Sequence, residues 1–398
     1  MKKLFICLLL ASLISSNALA KETRKSKKSS PAPAKTEQKT PPQEEKASFQ
    51  ALIVMEADTG MVLEEINSTV KYPLASVTKL MTAAIVMEKL ESGGNQLTEM
   101  VTTSAASSKM GGSQVYLKQG ESFTLEEMMK AIMIASGNDA AHAVAEHIAG
   151  THEAFVEEMN KKAQSLGMND SEFHTAHGLP PSPGQSEDVS SCRDLMILSR
   201  ELLKYPKLLE WSAIPVEPFR EGAFIMRNHN KLISKLPGTD GFKTGYYAKA
   251  GFNVVATAKK EGLRLIVAVM GSPSARIRDG IAIEKFKKYM AKYKMAELAQ
   301  KDQNMGEPVS LPDGETQSLQ AVAASDFSYP VLREKMAAIK KEIHLPKEVK
   351  GGVAAGQKLG DIVFMLDNET LGTVDLISPI EIREVGFFTK ILRLIGLG

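Results

Sequence analysis

The chain has 398 residues, 43% of them hydrophobic, enough for about two to three domains with cores of their own. Lys and Arg total 49 against 47 Asp and Glu, so no charge excess points to a nucleic-acid partner. Two cysteines, Cys7 and Cys192, and no Cys-x-x-Cys pair exclude both a disulfide framework and a zinc ribbon.

Residues 1–20 begin with Lys2 and Lys3, continue with an apolar run from Leu4 to Ile14 and end in Ala18-Leu19-Ala20. That order is the layout of a cleavable secretion signal; a spanning helix needs about 20 apolar residues. Residues 21–46 carry eight basic and four acidic side chains, four prolines and no large apolar residue. Such a segment reads as a solvated tether. Ala51 to Met55 and Met61 to Glu65, separated by Asp58-Thr59-Gly60, read as a hairpin. Helical periodicity follows over Thr78–Leu90, Thr124–Ala135, Ala140–Ile148 and Ala154–Leu166. Strands return at Gly251–Lys259 and Leu263–Met270, and Asp279 to Leu298 reads as a helix. The order hairpin, helices, strands, helix is α+β. It predicts one domain over 47–300, and the short strands and turns beyond predict a small β-rich domain over 304–380. In residues 384–398, Phe387, Phe388, Ile391, Leu392, Leu394 and Ile395 share a helical side opposite Thr389, Lys390 and Arg393. The pattern suits a helix lying in a membrane surface, or one packed on its own domain.

Three short patterns carry chemistry. A nucleophilic Ser needs a base within hydrogen-bond reach, and residues i and i+3 share a helix face. Ser-x-x-Lys occurs twice, as Ser68/Lys71 and Ser76/Lys79. Lys71 precedes Tyr72-Pro73, where helical geometry is disfavoured, whereas Ser76 opens the apolar-periodic stretch ASVTKLMTAAIVMEKL. There its Oγ would sit at the positive end of a helix; on the pair alone, a simple helix cap is the competing reading. Ser136-Gly137-Asn138 closes the second helical stretch and offers a hydroxyl and an amide able to orient a Lys and a substrate amide. Lys243-Thr244-Gly245 stands before a strand, an ammonium and hydroxyl suited to a carboxylate beside a glycine that admits a close backbone. A helix C-terminal turn and a strand-edge turn are the bland alternatives for the last two. The three in this order, 60 and 107 residues apart, exceed chance.

With these patterns, and with the segments GGSQVYLKQGE, IASGNDAA, SSCRDL, GTDGFKTG and AGFNVVATA, the chain from 47 to 398 resembles the low-molecular-weight penicillin-binding proteins. More specifically it resembles the serine-type D-alanyl-D-alanine carboxypeptidases. The resemblance implies an antiparallel sheet with a helical subdomain, a small all-β domain and a C-terminal amphipathic helix. It implies that Ser76 is acylated with Lys79 as base, and that Ser136 and Asn138 position Lys79 and the peptide. Lys243, Thr244, Gly245 and Tyr246 would then bind the substrate terminus, with the N–H groups of Ser76 and Tyr246 as oxyanion donors and Arg278 near the carboxylate. Tyr246-Tyr247 departs from the small or polar residues common after Lys-Thr-Gly. The implied partners are a peptidoglycan stem peptide ending in D-Ala-D-Ala, β-lactam antibiotics and a membrane surface, with no cofactor. A D,D-endopeptidase, a β-lactamase and a non-catalytic wall scaffold remain as alternatives. No metal site is expected: His142, His147 and His152 spread around a presumed single helix, and His174-x-x-His177 lacks a clear third ligand.

Overall fold

The computed structural model describes residues 48–395; the signal over 1–20 and the tether over 21–46 lie outside the described residues. The first hairpin forms as Ala51–Glu56 and Val62–Ile66. It joins strands far along the chain into a five-stranded antiparallel sheet, in the order Val62–Ile66, Ala51–Glu56, Leu263–Ser272, Gly251–Lys260, Thr239–Tyr247. The middle strands are apolar nearly throughout because both faces are covered. Ile53, Val255, Ile266 and Ala268 face a helical core, while Leu52, Val54, Val254, Val267 and Val269 pack under a helix carrying Phe286 and Tyr289.

The helical body contains α1 (Lys79–Glu91), α2 (Leu125–Ile134), α3 (Asn138–Ala149), α4 (His152–Leu166), α5 (Cys192–Leu202) and α6 (Pro206–Ala213). Helix α1 is buried at every position from Lys79 to Met87, so it is a core helix and not an amphipathic one. Helix α2 starts on a capping box in which Thr124 and Glu127 satisfy each other's backbone amides. A short α7 (Leu232–Lys235) precedes the edge strand, and α8 (Ala275–Lys292) covers the far face of the sheet.

The helical expectation for 279–298 is corrected at its end. Helix α8 stops at Lys292, and Tyr293–Ala299 is a strand paired antiparallel with Phe327–Leu332. Lys-Met-Ala-Glu-Leu-Ala favours a helix locally, but as a strand it buries Ala296, Leu298 and Ala299 against Ile362, Phe364 and Leu376. A four-stranded sheet completes this second body, in the order Val322–Ala323, Glu369–Ile377, Lys358–Leu366, Lys340–His344. Asp367 and Asn368, at φ 50° and 68°, form the two-residue turn between its long strands.

Helix α9 (Phe387–Leu394) closes the described chain. Its polar side turns inward: Lys390 pairs with Asp313 and Glu384, and Arg393 Nη1 donates to Pro312 O and Gly314 O at 3.2 and 2.7 Å. Phe387 and Phe388 are 72% and 82% exposed, and Ile391, Leu392 and Ile395 are exposed beside them. Among the described residues no helix is long and apolar enough to cross a membrane.

Candidate active site

Ser76 lies in a 3-10 turn, Ala75–Thr78, that runs directly into α1. It makes no helix cap; its Oγ instead accepts from Lys79 Nζ at 3.1 Å. Ala75, with φ 49°, is held in a sparsely populated conformation by its surroundings. Two glycines press on this turn: a Cβ on Gly178 would stand 2.0 Å from Ala75 O, and one on Gly245 2.6 Å from Leu74 O and 3.0 Å from Ser76 N. Asn253 fastens it to the sheet, donating from Nδ2 to Pro73 O and Leu74 O and accepting at Oδ1 from Gly271 N–H. Of the two Ser-x-x-Lys pairs, only Ser76 and Lys79 meet through their side chains; Ser68 donates to Glu65 and accepts from Arg193.

Lys79, the first residue of α1, is fully buried. Besides Ser76, its Nζ donates to Asn138 Oδ1 at 2.6 Å and to His177 O at 2.5 Å. Burial, reinforced by the nearby Lys243 charge, holds its pKa well below the ordinary lysine value against the opposing pull of Asp188 and Asp139.

Ser136-Gly137-Asn138 joins α2 to α3, with Ser136 at φ 60°. The junction is locked from outside: Asn138 N–H donates to Ser113 O, Asn138 Nδ2 donates to Gly111 O, and the Asp139 carboxylate accepts from the N–H groups of Val115 and Leu117. Across the cleft, on the edge strand Thr239–Tyr247, Lys243 Nζ donates to Ser136 Oγ at 2.8 Å and to Thr244 O at 3.0 Å. Burial, with the Arg278 charge added, brings Lys243 down to about 7. Arg278 is itself buried at the start of α8, bonded to Asp279 Oδ1 at 2.7 and 3.0 Å and to Asn253 O. Tyr246 is exposed, its ring stacked on Phe252 with centroids 4.0 Å apart.

The fold therefore gathers the proposed residues from four separate segments: the Ser76 turn, the α2–α3 junction, the edge strand and the start of α8. Sequence reasoning missed the His177 carbonyl, since any residue type supplies one. It also missed Asp188, which accepts from His174 N–H, Thr175 N–H, Thr175 Oγ1 and Thr78 Oγ1 and so ties the His177 segment to the Ser76 turn. The histidine reading is corrected too. The presumed single helix breaks at Gly150, His152 starts α4, and the α3–α4 turn stacks the His142 and His152 rings with centroids 4.5 Å apart. His147 turns away to Glu99, and His174 to Glu172.

A buried lysine in contact with both a serine and an amide, on an antiparallel sheet with a helical body, defines a serine peptidase of the penicillin-binding class. The D-alanyl-D-alanine carboxypeptidase family model matches residues 35–274, and the model of the penicillin-binding protein 5 C-terminal domain matches residues 293–384. The D-alanyl-D-alanine carboxypeptidase DacF of Bacillus subtilis is 34% identical, the alignment covering 86% of this chain and 88% of that one. DacA of Escherichia coli is 31% identical over 87% of each. Among solved structures, penicillin-binding protein 5 of Haemophilus influenzae aligns with a TM-score of 0.69 at 28% identity, covering 87% of this chain and 99% of that one. Penicillin-binding protein D2 of Listeria monocytogenes, in its ampicillin-bound form, aligns at 0.54 and 29% identity over 60% of this chain and 96% of its own. The chain belongs to the D-alanyl-D-alanine carboxypeptidase family.

Proposed function

We propose that this serine carboxypeptidase removes the terminal D-Ala from peptidoglycan stem peptides through an acyl-enzyme on Ser76, with Lys79 as the base. The observation that carries the reading is the sharing of Lys79 Nζ among Ser76 Oγ, Asn138 Oδ1 and His177 O. A neutral amine has two N–H bonds and one lone pair. The amide and carbonyl oxygens can only accept, so they take both N–H bonds and leave the lone pair for the Ser76 hydroxyl. Burial, with the Lys243 charge beside it, holds the Lys79 pKa well below the ordinary lysine value and so favours the neutral amine.

Ser76 Oγ attacks the carbonyl carbon between the two D-alanines while its proton passes to Lys79 Nζ. The tetrahedral oxyanion takes hydrogen bonds from the backbone N–H groups of Ser76 and Tyr246, the first of which follows Ala75 at φ 49°. Collapse breaks the C–N bond, the proton goes to the departing D-Ala amine, and water then cleaves the Ser76 ester with Lys79 again as base. Lys243 and Thr244 hold the terminal carboxylate. With its pKa near 7, Lys243 gains its full charge as the carboxylate arrives, and the charge of the buried Arg278 adds to the attraction. Ser136 bridges Lys243 toward the reacting atoms. A β-lactam enters the same ester and is released slowly. Outside the catalytic body, the exposed apolar side of α9 attaches the enzyme to the outer face of the cytoplasmic membrane, after secretion directed by residues 1–20.

Mass spectrometry of a muropeptide pentapeptide incubated with the enzyme tests the chemistry. Loss of one alanine, absent in Ser76→Ala, is expected; cleavage of cross-linked dimers alone would instead assign an endopeptidase. Deleting residues 384–398 should release the protein from vesicles, and continued sedimentation with lipid refutes the attachment.

A further inference from the structure

Next to the catalytic turn, α3, α4 and the segment 174–186 enclose a cavity of about 700 Å³ whose wall includes His142, His152, His177, Glu153 and Glu157. Peptide hydrolysis uses none of these side chains; His177 serves it only through its backbone carbonyl. The three imidazoles form a triangle, with ring centroids 4.5, 5.7 and 6.1 Å apart, and one ring nitrogen of each lies within 4.8 Å of the others. His142 is buried and its Nδ1 has no hydrogen-bond partner, which leaves a costly polar atom unexplained by the fold alone. His152 Nε2 and His177 Nδ1 each accept a long 3.2 Å contact from an amide, of Ala176 and Leu179 respectively, so each ring has its other nitrogen to offer. Burial holds all three below the ordinary histidine pKa, with the His142 charge adding to it at His152 and the Lys79 charge at His177, which favours the uncharged imidazole that coordinates metal.

We propose that His142, His152 and His177 bind one divalent transition-metal ion of the zinc class, with the fourth coordination position open to the cavity. Imidazole nitrogens suit Zn²⁺, Ni²⁺ and Co²⁺, and three protein ligands with an open position is an established zinc arrangement. Zn–N bonds of about 2.0–2.1 Å place tetrahedral nitrogens about 3.3 Å apart, so the stacked rings must tilt and close by roughly 1 Å each. Ligation moves each imidazole proton to the far nitrogen and exchanges the two long amide contacts for metal bonds. Glu146, 3.5 Å from His142 Nε2, accepts that ring's proton. The bound ion clamps the His177 segment to α3 and α4, and with it the carbonyl that holds Lys79.

The test uses tag-free protein spanning residues 21–398, stripped with chelator and titrated with Co²⁺ and Zn²⁺. Equimolar binding is expected, with the visible absorption of a tetrahedral Co²⁺ site and a raised Tm with Zn²⁺. His142→Ala, His152→Ala and the milder His152→Gln should each weaken binding at least tenfold and remove the Tm rise, while His147→Ala, whose ring pairs with Glu99, retains both. Absence of equimolar binding, or binding undiminished in any folded His142 or His152 variant, overturns the proposal.

Discussion

Gly245→Ala isolates the geometric demand that the site makes on one residue. The strand bearing Lys243 lies so close to the Ser76 turn that a Cβ at position 245 would stand 2.6 Å from Leu74 O and 3.0 Å from the nitrogens of Ser76 and Val77. Ordinary van der Waals contact begins at 3.4 Å, and the atoms in the way are backbone, which cannot rotate aside. The strand must therefore retreat from the Ser76 turn by most of an ångström, carrying Lys243, Thr244 and the Tyr246 N–H with it. Displacements of about 1 Å cost about 100-fold in rate, or about 2.7 kcal/mol of barrier. The assay is the second-order rate constant of Ser76 acylation by a fluorescent penicillin, with near-UV circular dichroism to verify the fold. Gly280→Ala is the control, since its Cβ on α8 meets nothing within 4 Å. A Gly245→Ala enzyme that folds and acylates within threefold of the parent refutes the reasoning.

Three further outcomes follow from the same geometry. The acylation rate should rise with pH along a limb well below the ordinary lysine pKa, and Lys79→Arg should lose about 10²–10⁴-fold; a limb at the ordinary value removes Lys79 as base. Folding stability should also rise with pH from about 7 toward 10, because Lys243 loses its proton near 7 when folded and keeps it to about 10.5 when unfolded. Each such group contributes a slope of up to about 1.4 kcal/mol per pH unit, and Lys79 acts with the same sign; urea midpoints that stay flat or fall between pH 7 and 9 contradict this. Asp188→Ala strands the N–H groups of His174 and Thr175, at about 1–3 kcal/mol each, so Tm should drop by several degrees and acylation with it as the His177 carbonyl drifts from Lys79. An unchanged Tm would mean that water satisfies those groups.

Much of the catalytic body was legible in the sequence because its signals are local. The two β-rich runs around the Asp/Gly turn in 51–65 and the helical spacing in 78–90 and 124–135 sit within one or two residues of the observed strands and helices. The Ser-x-x-Lys pair was decided by a neighbouring proline, a purely local argument, and the structure agrees: Ser76 and Lys79 meet while Ser68 bonds elsewhere. Failures came where a distant partner outweighed local preference. Residues 293–298 look helical and become part of a strand because Phe327–Leu332 offers an edge to pair with. Spacing alone left the polar side of the last helix without a partner, and only the fold shows Lys390 and Arg393 bound through Asp313, Glu384 and the carbonyls of 312 and 314.

By itself the sequence determined which residues are candidates for the chemistry, the order in which they occur and the α+β frame that holds them. It could do so because periodicity, proline and glycine act over a few residues of chain. Only the tertiary structure decided that Lys79 is shared with a backbone carbonyl from residue 177, that Asp188 fastens that segment, and that three histidines from two helices and a loop converge beside it. Those contacts join segments up to 110 residues apart, and their energies depend on burial and on the angles at which elements pack, neither of which is written in local spacing.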